Sequence, residues 1–149
     1  QETKLGSMLD PIADKAMVVI ALMVIVGYSS MSPWLVLPAT VIMFREVFIS
    51  GLREYLGEKT KLLNVTKIAK VKTSAQMVAI AILFSHGVFE HYHITLSTKN
   101  NTSAKNLEFL SDAMIYSSNL GLVFLWLAAA LTLISGFEYL KKAWPYLKG

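Results

Sequence analysis

Four apolar segments separated by polar stretches limit what this chain can fold into. A helix needs about 20 largely apolar residues to cross a bilayer. Only the last segment reaches that length, but each of the others is continued by polar sequence of helical character. Hydrophobic residues make up 54% of the 149 residues and charged residues 16%, whereas a typical soluble domain has about 25% charged residues. The pattern predicts an all-α, polytopic membrane helix bundle with about four transmembrane helices, formed by the apolar segments 16–28, 34–44, 73–89 and 113–137.

Lysine and arginine residues lie at alternate ends of these segments. The connection 29–33 has none, and the long polar connection 85–112, which we predict to be a loop on the outside, has only Lys99 and Lys105. By the positive-inside rule, both chain ends and the connection 45–72 face the cytoplasm. A net charge of +4 sorted in this way does not predict a nucleic-acid partner. The basic residues on the predicted cytoplasmic side are Lys4, Lys15, Arg45, Arg53, Lys59, Lys61, Lys67, Lys70, Lys72, Lys141, Lys142 and Lys148.

Gly6, Asp10 and Asp14 follow one another at intervals of four residues just before the first apolar segment. On a helix this spacing puts all three on one face, one turn apart. Two carboxylates so close repel each other unless a cation lies between them, and Mg²⁺ shares carboxylates with substrate phosphates. Acids also favour the start of a helix because of its dipole. At a membrane face, however, ionisable residues that point into a bundle indicate a functional site.

The spacing G-x-x-x-D-x-x-x-D resembles the second half of the signature of the CDP-alcohol phosphatidyltransferase family. The stretches GSMLDPIADKAMV, REVFISGLREYLG, IAKVKTSAQMVAI and LTLISGFEYL also resemble segments of that family, in the same order. The first half of the signature, D-x-x-D-G-x-x-A-R, is absent from the chain. Members usually have six membrane helices. We therefore expect residues 1–149 to be the C-terminal portion of a single membrane domain of this family, which contributes four of the six helices.

The resemblance implies a phosphatidyl transfer from CDP-diacylglycerol to an acceptor alcohol. The stretch REVFISGLRE favours glycerol 3-phosphate as the acceptor. In this interpretation Asp10 is a metal ligand, Asp14 is the general base and a second metal contact, and Gly6 allows the nucleotide to approach the helix. The implied cofactor is Mg²⁺ or Mn²⁺ in a two-metal site, partly supplied by the absent N-terminal part. The implied location is the bacterial inner (plasma) membrane, with the active site facing the cytoplasm.

Basic residues next to the membrane provide candidates for binding the acceptor phosphate. Arg45 and Arg53 are eight residues apart and so lie on roughly one helical face, and arginine suits fork-like contacts with phosphate. Lys70 and Lys72 come at the head of the next helix. The resemblance implies that these residues form the acceptor pocket, and we expect Glu46 to brace an arginine. Basic residues at a cytoplasmic face also anchor proteins to anionic lipids. We expect this role for Lys59, Lys61 and Lys67, and the phosphate pocket for Arg45.

Three alternatives stay open at this point. The same chemistry could use inositol phosphate, serine or phosphatidylglycerol as acceptor. The chain could be a non-catalytic membrane fragment, because the first motif half is absent. A transporter or channel subunit would carry its acids near the middle of the membrane, whereas Asp10 and Asp14 precede the first span. Membrane lipids are expected partners, and the resemblance is compatible with a homodimer.

Overall fold

The chain folds into four α-helices and their connections in a computed structural model that describes residues 4–57, 67–98 and 104–147. Within these helices, the side chains of residues 4–12, 14, 67–70 and 104 lie outside the description. The helices are α1 (Lys4–Tyr28), α2 (Pro33–Leu56), α3 (Lys67–Ser97) and α4 (Ala104–Leu147). Because every described element is helical, the predicted all-α class is confirmed.

Three of the helices contain stretches long and apolar enough to cross a membrane within the described ranges: Pro33–Leu56, Val71–Ser97 and Lys105–Leu147. In α1 the corresponding apolar stretch, Lys15–Tyr28, is shorter. The polar helical extensions predicted for the first three segments are therefore present as parts of α1, α2 and α3. Four crossings with both ends in the cytoplasm stay a prediction.

The predicted outside loop over residues 85–112 is wrong for most of its length. Helix α3 continues to Ser97 and α4 already begins at Ala104. With a rise of about 1.5 Å per residue, the 44 residues of α4 extend for about 66 Å, more than twice the hydrocarbon thickness of about 30 Å. The polar composition of these segments does not interrupt the helices, since a helix satisfies its own backbone hydrogen bonds in water as well as in lipid.

One apolar core joins all four helices. It is formed by Val18, Leu22 and Ile25 of α1, Ala39 and Ile42 of α2, Ala79, Ile80 and Leu83 of α3, and Leu125, Ala128 and Ala129 of α4. The α3–α4 pair makes the most extensive helix contact, and α4 also packs against α2. A smaller cluster of Ile49, Leu56, Tyr139 and Ala143 continues the α2–α4 contact toward the end of the bundle that contains Arg45 and Arg53.

The close contact between α3 and α4 depends on Gly121. A Cβ atom at this position would lie 2.7 Å from Cδ2 of Leu83 and 3.3 Å from Cγ2 of Ile82. Contacts between carbon atoms are favourable only at about 3.5–4.0 Å. Small residues at membrane helix contacts allow backbones to approach closely. Gly121 therefore sets the distance between α3 and α4.

A proline in α2 creates a second link to α4. Pro38 is inside α2 and has no N–H, so it cannot donate to the carbonyl four residues earlier, that of Trp34. The indole Nε1 of Trp126 donates to this carbonyl over 3.1 Å, and the two indole rings lie 6.4 Å apart. The side chain of Trp126 thus replaces the missing backbone donor and ties α4 to the start of α2.

Candidate functional site

A group of charged side chains links α2 to α3 at the end of the bundle away from the α1–α2 turn. Nη1 of Arg45 donates to Oε1 of Glu46 at 3.0 Å, and Nζ of Lys72 contacts the same oxygen. Only 11% of the Arg45 side chain, 14% of Glu46 and 5% of Lys72 is exposed. Glu46 therefore holds the two cations together, and the expectation that it braces an arginine is confirmed.

Helix α4 supplies the surface on which both arginines of α2 lie. Nη2 of Arg45 donates to Oγ of Ser135 at 3.4 Å, and the guanidinium carbon of Arg53 lies 5.2 Å from the centre of the Tyr139 ring. Ser135 and Tyr139 are four residues apart and thus one turn apart on α4. The arginines are two turns apart on α2, so α4 contacts both of them through two of its own neighbouring turns.

A glycine on α4 makes room for the side chain of Arg45. A Cβ atom on Gly136 would lie 3.1 Å from Cγ and 3.6 Å from Nε of Arg45. The aliphatic part of the arginine therefore rests on the helix backbone, and its guanidinium group is directed to Glu46 and Ser135. The Nε atom of Arg45 is buried and has no hydrogen-bond partner among the described residues.

The four charged residues Arg45, Glu46, Arg53 and Lys72, called the cationic cluster below, carry three positive charges and one negative charge. The positive charges of Arg45 and Arg53 both act on Lys72. Buried charges are costly unless an opposite charge or hydrogen bonds compensate them. Glu46 contacts Arg45 and Lys72, and the formal charges of these four residues sum to +2. Three basic side chains gathered in one place suit a phosphate anion, since arginine forks favour phosphate geometry.

A contact between α1 and α2 brings the predicted acidic motif toward this cluster. Nζ of Lys15 donates to Oγ of Ser50 at 2.6 Å, and Oγ of Ser50 donates to the carbonyl of Glu46 at 2.7 Å. Lys15 directly follows Asp14, and neighbouring Cα atoms are 3.8 Å apart. The backbone of Asp14 therefore passes close to the segment of α2 that carries the cationic cluster.

The structure brings Arg45, Arg53 and Lys72 together, but it describes only the backbone of the other predicted site residues. Gly6, Asp10 and Asp14 are in α1 and Lys70 is in α3, with side chains outside the described part. Among the side chains that the structure describes, no three acidic or histidine residues could hold a metal ion together. A metal site formed by Asp10 and Asp14 therefore stays a prediction.

Sequence reasoning assigned no site role to Lys15, Ser50 or Tyr139. From the sequence, Lys15 is predicted only to be a basic residue on the cytoplasmic side. Its position next to Asp14 could have indicated that it lies near the site. Tyr139 belongs to the stretch LTLISGFEYL on the last helix, but no spacing rule pairs it with a residue 86 positions earlier. Its 8% exposure and its place under Arg53 appear only in the packed structure.

Comparison with known proteins identifies the class to which this helical bundle and its basic site belong. The family model described as CDP-alcohol phosphatidyltransferase matches residues 1–134. The chain therefore belongs to the CDP-alcohol phosphatidyltransferase family, whose members generally use divalent metal ions. The long apolar helices agree with an integral membrane protein. The role in phospholipid biosynthesis comes with the family.

The individual relatives share one name. The chain is 53% identical to the CDP-diacylglycerol–glycerol-3-phosphate 3-phosphatidyltransferase of Cereibacter sphaeroides, over 99% of this chain and 72% of the relative. It is 36% identical to the enzymes of the same name from Pseudomonas fluorescens and Yersinia enterocolitica, of which it covers 65% and 67%. The chain thus spans about two thirds of the length of the latter two relatives. No solved structure matches it.

Proposed function

We propose that this chain takes part in transferring a phosphatidyl group from CDP-diacylglycerol to glycerol 3-phosphate, which gives phosphatidylglycerol phosphate and CMP. The observation that carries the proposal is the gathering of three basic side chains, Arg45, Arg53 and Lys72, at one place in the bundle, next to the α1 segment that contains Asp10 and Asp14. The names of the relatives supply the substrates. The proposed place of reaction is the cytoplasmic face of the bacterial inner membrane, and a homodimer is compatible with this arrangement.

The cationic cluster would bind the phosphate of glycerol 3-phosphate. Arg45 and Arg53 present two guanidinium groups from one helix, Lys72 adds an ammonium group from α3, and Lys70 lies two residues before it. The phosphate would receive hydrogen bonds from fixed donors, while Glu46 keeps Arg45 and Lys72 in place. Fixing the acceptor in this way turns a bimolecular encounter into a positioned reaction.

Asp14 would act on the hydroxyl group of the bound acceptor. As general base, its carboxylate would take the proton while the hydroxyl oxygen forms a bond to the phosphorus that bears the diacylglycerol. The bond from that phosphorus to the bridging oxygen breaks, and CMP leaves with its electron pair. A positioned base typically contributes about 10² to 10⁴ in rate. Gly6 at the start of the same helix would give the nucleotide space to approach.

The donor set on α1 fits a divalent metal ion. Asp10 and Asp14 are one turn apart on a continuous helix, and carboxylate oxygens are the ligands that Mg²⁺ and Mn²⁺ prefer. A metal ion bound by these two residues would neutralise negative charge that builds on the phosphoryl oxygens. We propose Mg²⁺ or Mn²⁺ in a two-metal site, for which Asp10 and Asp14 supply only part of the ligands.

Release of CMP tests the proposal. The purified chain is incubated in detergent with CDP-diacylglycerol, glycerol 3-phosphate and Mg²⁺, next to an Asp14→Asn variant whose helix content is checked by circular dichroism. We expect release from the unmodified chain and a loss of at least about 10²-fold in the variant. Equal release from both would exclude Asp14 as the base. Faster release with inositol phosphate or serine than with glycerol 3-phosphate would show that the acceptor is wrong.

Phosphate binding tests the cationic cluster without catalysis. Binding of glycerol 3-phosphate to the detergent-purified chain is measured by calorimetry, with glycerol as the uncharged control. We expect heat of binding for glycerol 3-phosphate alone, and loss of most of it in Arg45→Ala. A chain that binds neither compound would contradict the proposed acceptor pocket, whatever the result of the CMP assay.

A further inference from the structure

A cavity of about 700 Å³ lies at the opposite end of the bundle from the cationic cluster. It is enclosed by the last turns of α1, the α1–α2 turn, the start of α2 and the middle of α3, and Ser118 of α4 reaches its edge. Cavities of 300–1,000 Å³ are typical of sites for small ligands. None of the proposed catalytic residues lines it, so the proposed transfer reaction leaves this cavity without a role.

The charge of the cavity wall is negative. Glu90 is the only Asp, Glu, Lys or Arg side chain among the described residues that line the cavity. Tyr28 lines the same cavity as Glu90, and the Tyr28 ring packs on α3, where a Cβ atom on Gly87 would be 3.7 Å from its Cε1 atom. An aromatic ring beside a carboxylate is a favourable environment for an organic cation.

The hydrogen bonds around His86 show which groups the wall offers to a ligand. Nδ1 of His86 lies 3.0 Å from the carbonyl oxygen of Met114, and that oxygen also accepts from Oγ of Ser117 at 3.1 Å. A carbonyl oxygen can only accept, so Nδ1 carries the proton and donates. In the neutral ring, Nε2 is then a bare acceptor. His86 and Glu90 are one turn apart on α3, so acceptors lie on two successive turns of this wall.

The remaining lining is apolar toward the core and polar toward the α1–α2 turn. Val24, Leu35 and Phe84 form the apolar part, whereas Ser30, Ser32 and Ser118 carry hydroxyl groups. Val24 and Phe84 are 50% and 42% exposed, so the apolar part of the cavity opens sideways, to where acyl chains lie in a membrane. A ligand that fits has an apolar body, a phosphate for the serine hydroxyls, and a positively charged donor for Glu90 and His86.

We propose that this cavity binds a phospholipid with a primary ammonium head group. A primary ammonium has three N–H donors, which matches the Glu90 carboxylate and Nε2 of His86. A quaternary ammonium has no donor to give them. An anionic head group without an amine is disfavoured, because the described lining has no Lys or Arg to balance it. The sideways apolar opening selects a lipid over a soluble amine.

Native mass spectrometry of the detergent-purified chain tests this site with lipids of identical acyl chains. Phosphatidylethanolamine, phosphatidylcholine and phosphatidylglycerol are titrated in parallel, and free ethanolamine serves as the soluble amine. We expect phosphatidylethanolamine to bind about 10-fold more tightly than the other two lipids, as one hydrogen bond to a charged group provides. Free ethanolamine should not compete. Equal binding of all three lipids would overturn the proposal, and competition by free ethanolamine would overturn the choice of a lipid.

Two matched variants assign the preference to this cavity. Glu90→Gln keeps the side-chain shape and should abolish the preference for phosphatidylethanolamine. Glu108→Gln makes the same chemical change at an exposed position of α4 and should leave it unchanged. Circular dichroism of each variant reports whether the helices are intact. If Glu90→Gln is folded and still prefers phosphatidylethanolamine, the ammonium group binds elsewhere and the proposal fails.

Discussion

Replacing Glu46 with Gln removes the only acid of the cationic cluster and leaves the size of the side chain almost unchanged. Arg45 and Lys72 contact the same oxygen of Glu46, and these three side chains are at most 14% exposed. In the variant Arg45 and Lys72 lose their shared counter-charge, and the formal charge of the four residues rises from +2 to +3. We therefore expect a less stable protein with a stronger dependence on bound anions.

The size of the effect follows from the geometry. Two unit charges 3.0 Å apart, as in the Arg45–Glu46 pair, attract each other by about 5 kcal/mol at an effective dielectric constant of about 20. The desolvation of the carboxylate offsets part of this attraction, and breaking a buried ion pair typically costs about 3–5 kcal/mol. We expect a loss of about 3 kcal/mol for Glu46→Gln, which corresponds to a fall in Tm of roughly 6–12 °C for a chain of this size.

Thermal unfolding followed by circular dichroism, in detergent and phosphate-free buffer, measures this loss. Glu54→Gln is the matched control, because Glu54 is an exposed acid on the same helix. Added phosphate should raise the Tm of Glu46→Gln more than that of the unmodified protein, since the anion replaces the lost negative charge. If Glu46→Gln and Glu54→Gln unfold at the same temperature, Glu46 does not hold the cluster together and the reasoning is refuted.

Three further changes test other contacts of the bundle. Arg53→Ala should raise the KM for glycerol 3-phosphate more than the KM for CDP-diacylglycerol. Lys141→Ala, at an exposed site, is the control and should change neither KM. Equal increases for both substrates in Arg53→Ala would exclude an acceptor pocket. Gly121→Ala should lower the free energy of unfolding by about 1–2 kcal/mol through overpacking. Gly51 has open space around it, so Gly51→Ala should raise the free energy of unfolding by about 0.5–1 kcal/mol. The unfolding temperatures of the two variants test both expectations. Trp126→Phe should lower the free energy of unfolding by about 1 kcal/mol, because Pro38 cannot donate to the Trp34 carbonyl that the indole now serves. An unchanged Tm would show that another donor replaces the indole.

Helix number and class could be predicted from the sequence because apolar length and charge sorting are local signals. Helix ends could not, since a helix can continue beyond the membrane wherever its polar residues meet water. Residues 85–97 and 104–112 read as a loop by composition, yet they continue α3 and α4. Composition reports the solvent around a segment, while the backbone hydrogen bonds of a helix form in both solvents.

The candidate site could be predicted as residues but not as contacts. The eight-residue spacing of Arg45 and Arg53 placed both on one face of α2, and both indeed lie against α4. The link between Lys72 and Glu46 spans 26 positions, and that between Lys15 and Ser50 spans 35. Such pairs depend on how the helices pack, and that information is not contained in any single stretch of sequence.

Gly136 has a consequence for the entropy of anion binding. A free arginine side chain carries about 2 kcal/mol of rotamer entropy, and ordering flexible side chains weakens most binding sites. With its stem resting on the α4 backbone at Gly136 and its head held by Glu46 and Ser135, Arg45 loses that freedom when the helices assemble. In the proposed function, a phosphate would therefore meet a guanidinium group that is already ordered, and little further order would have to be created.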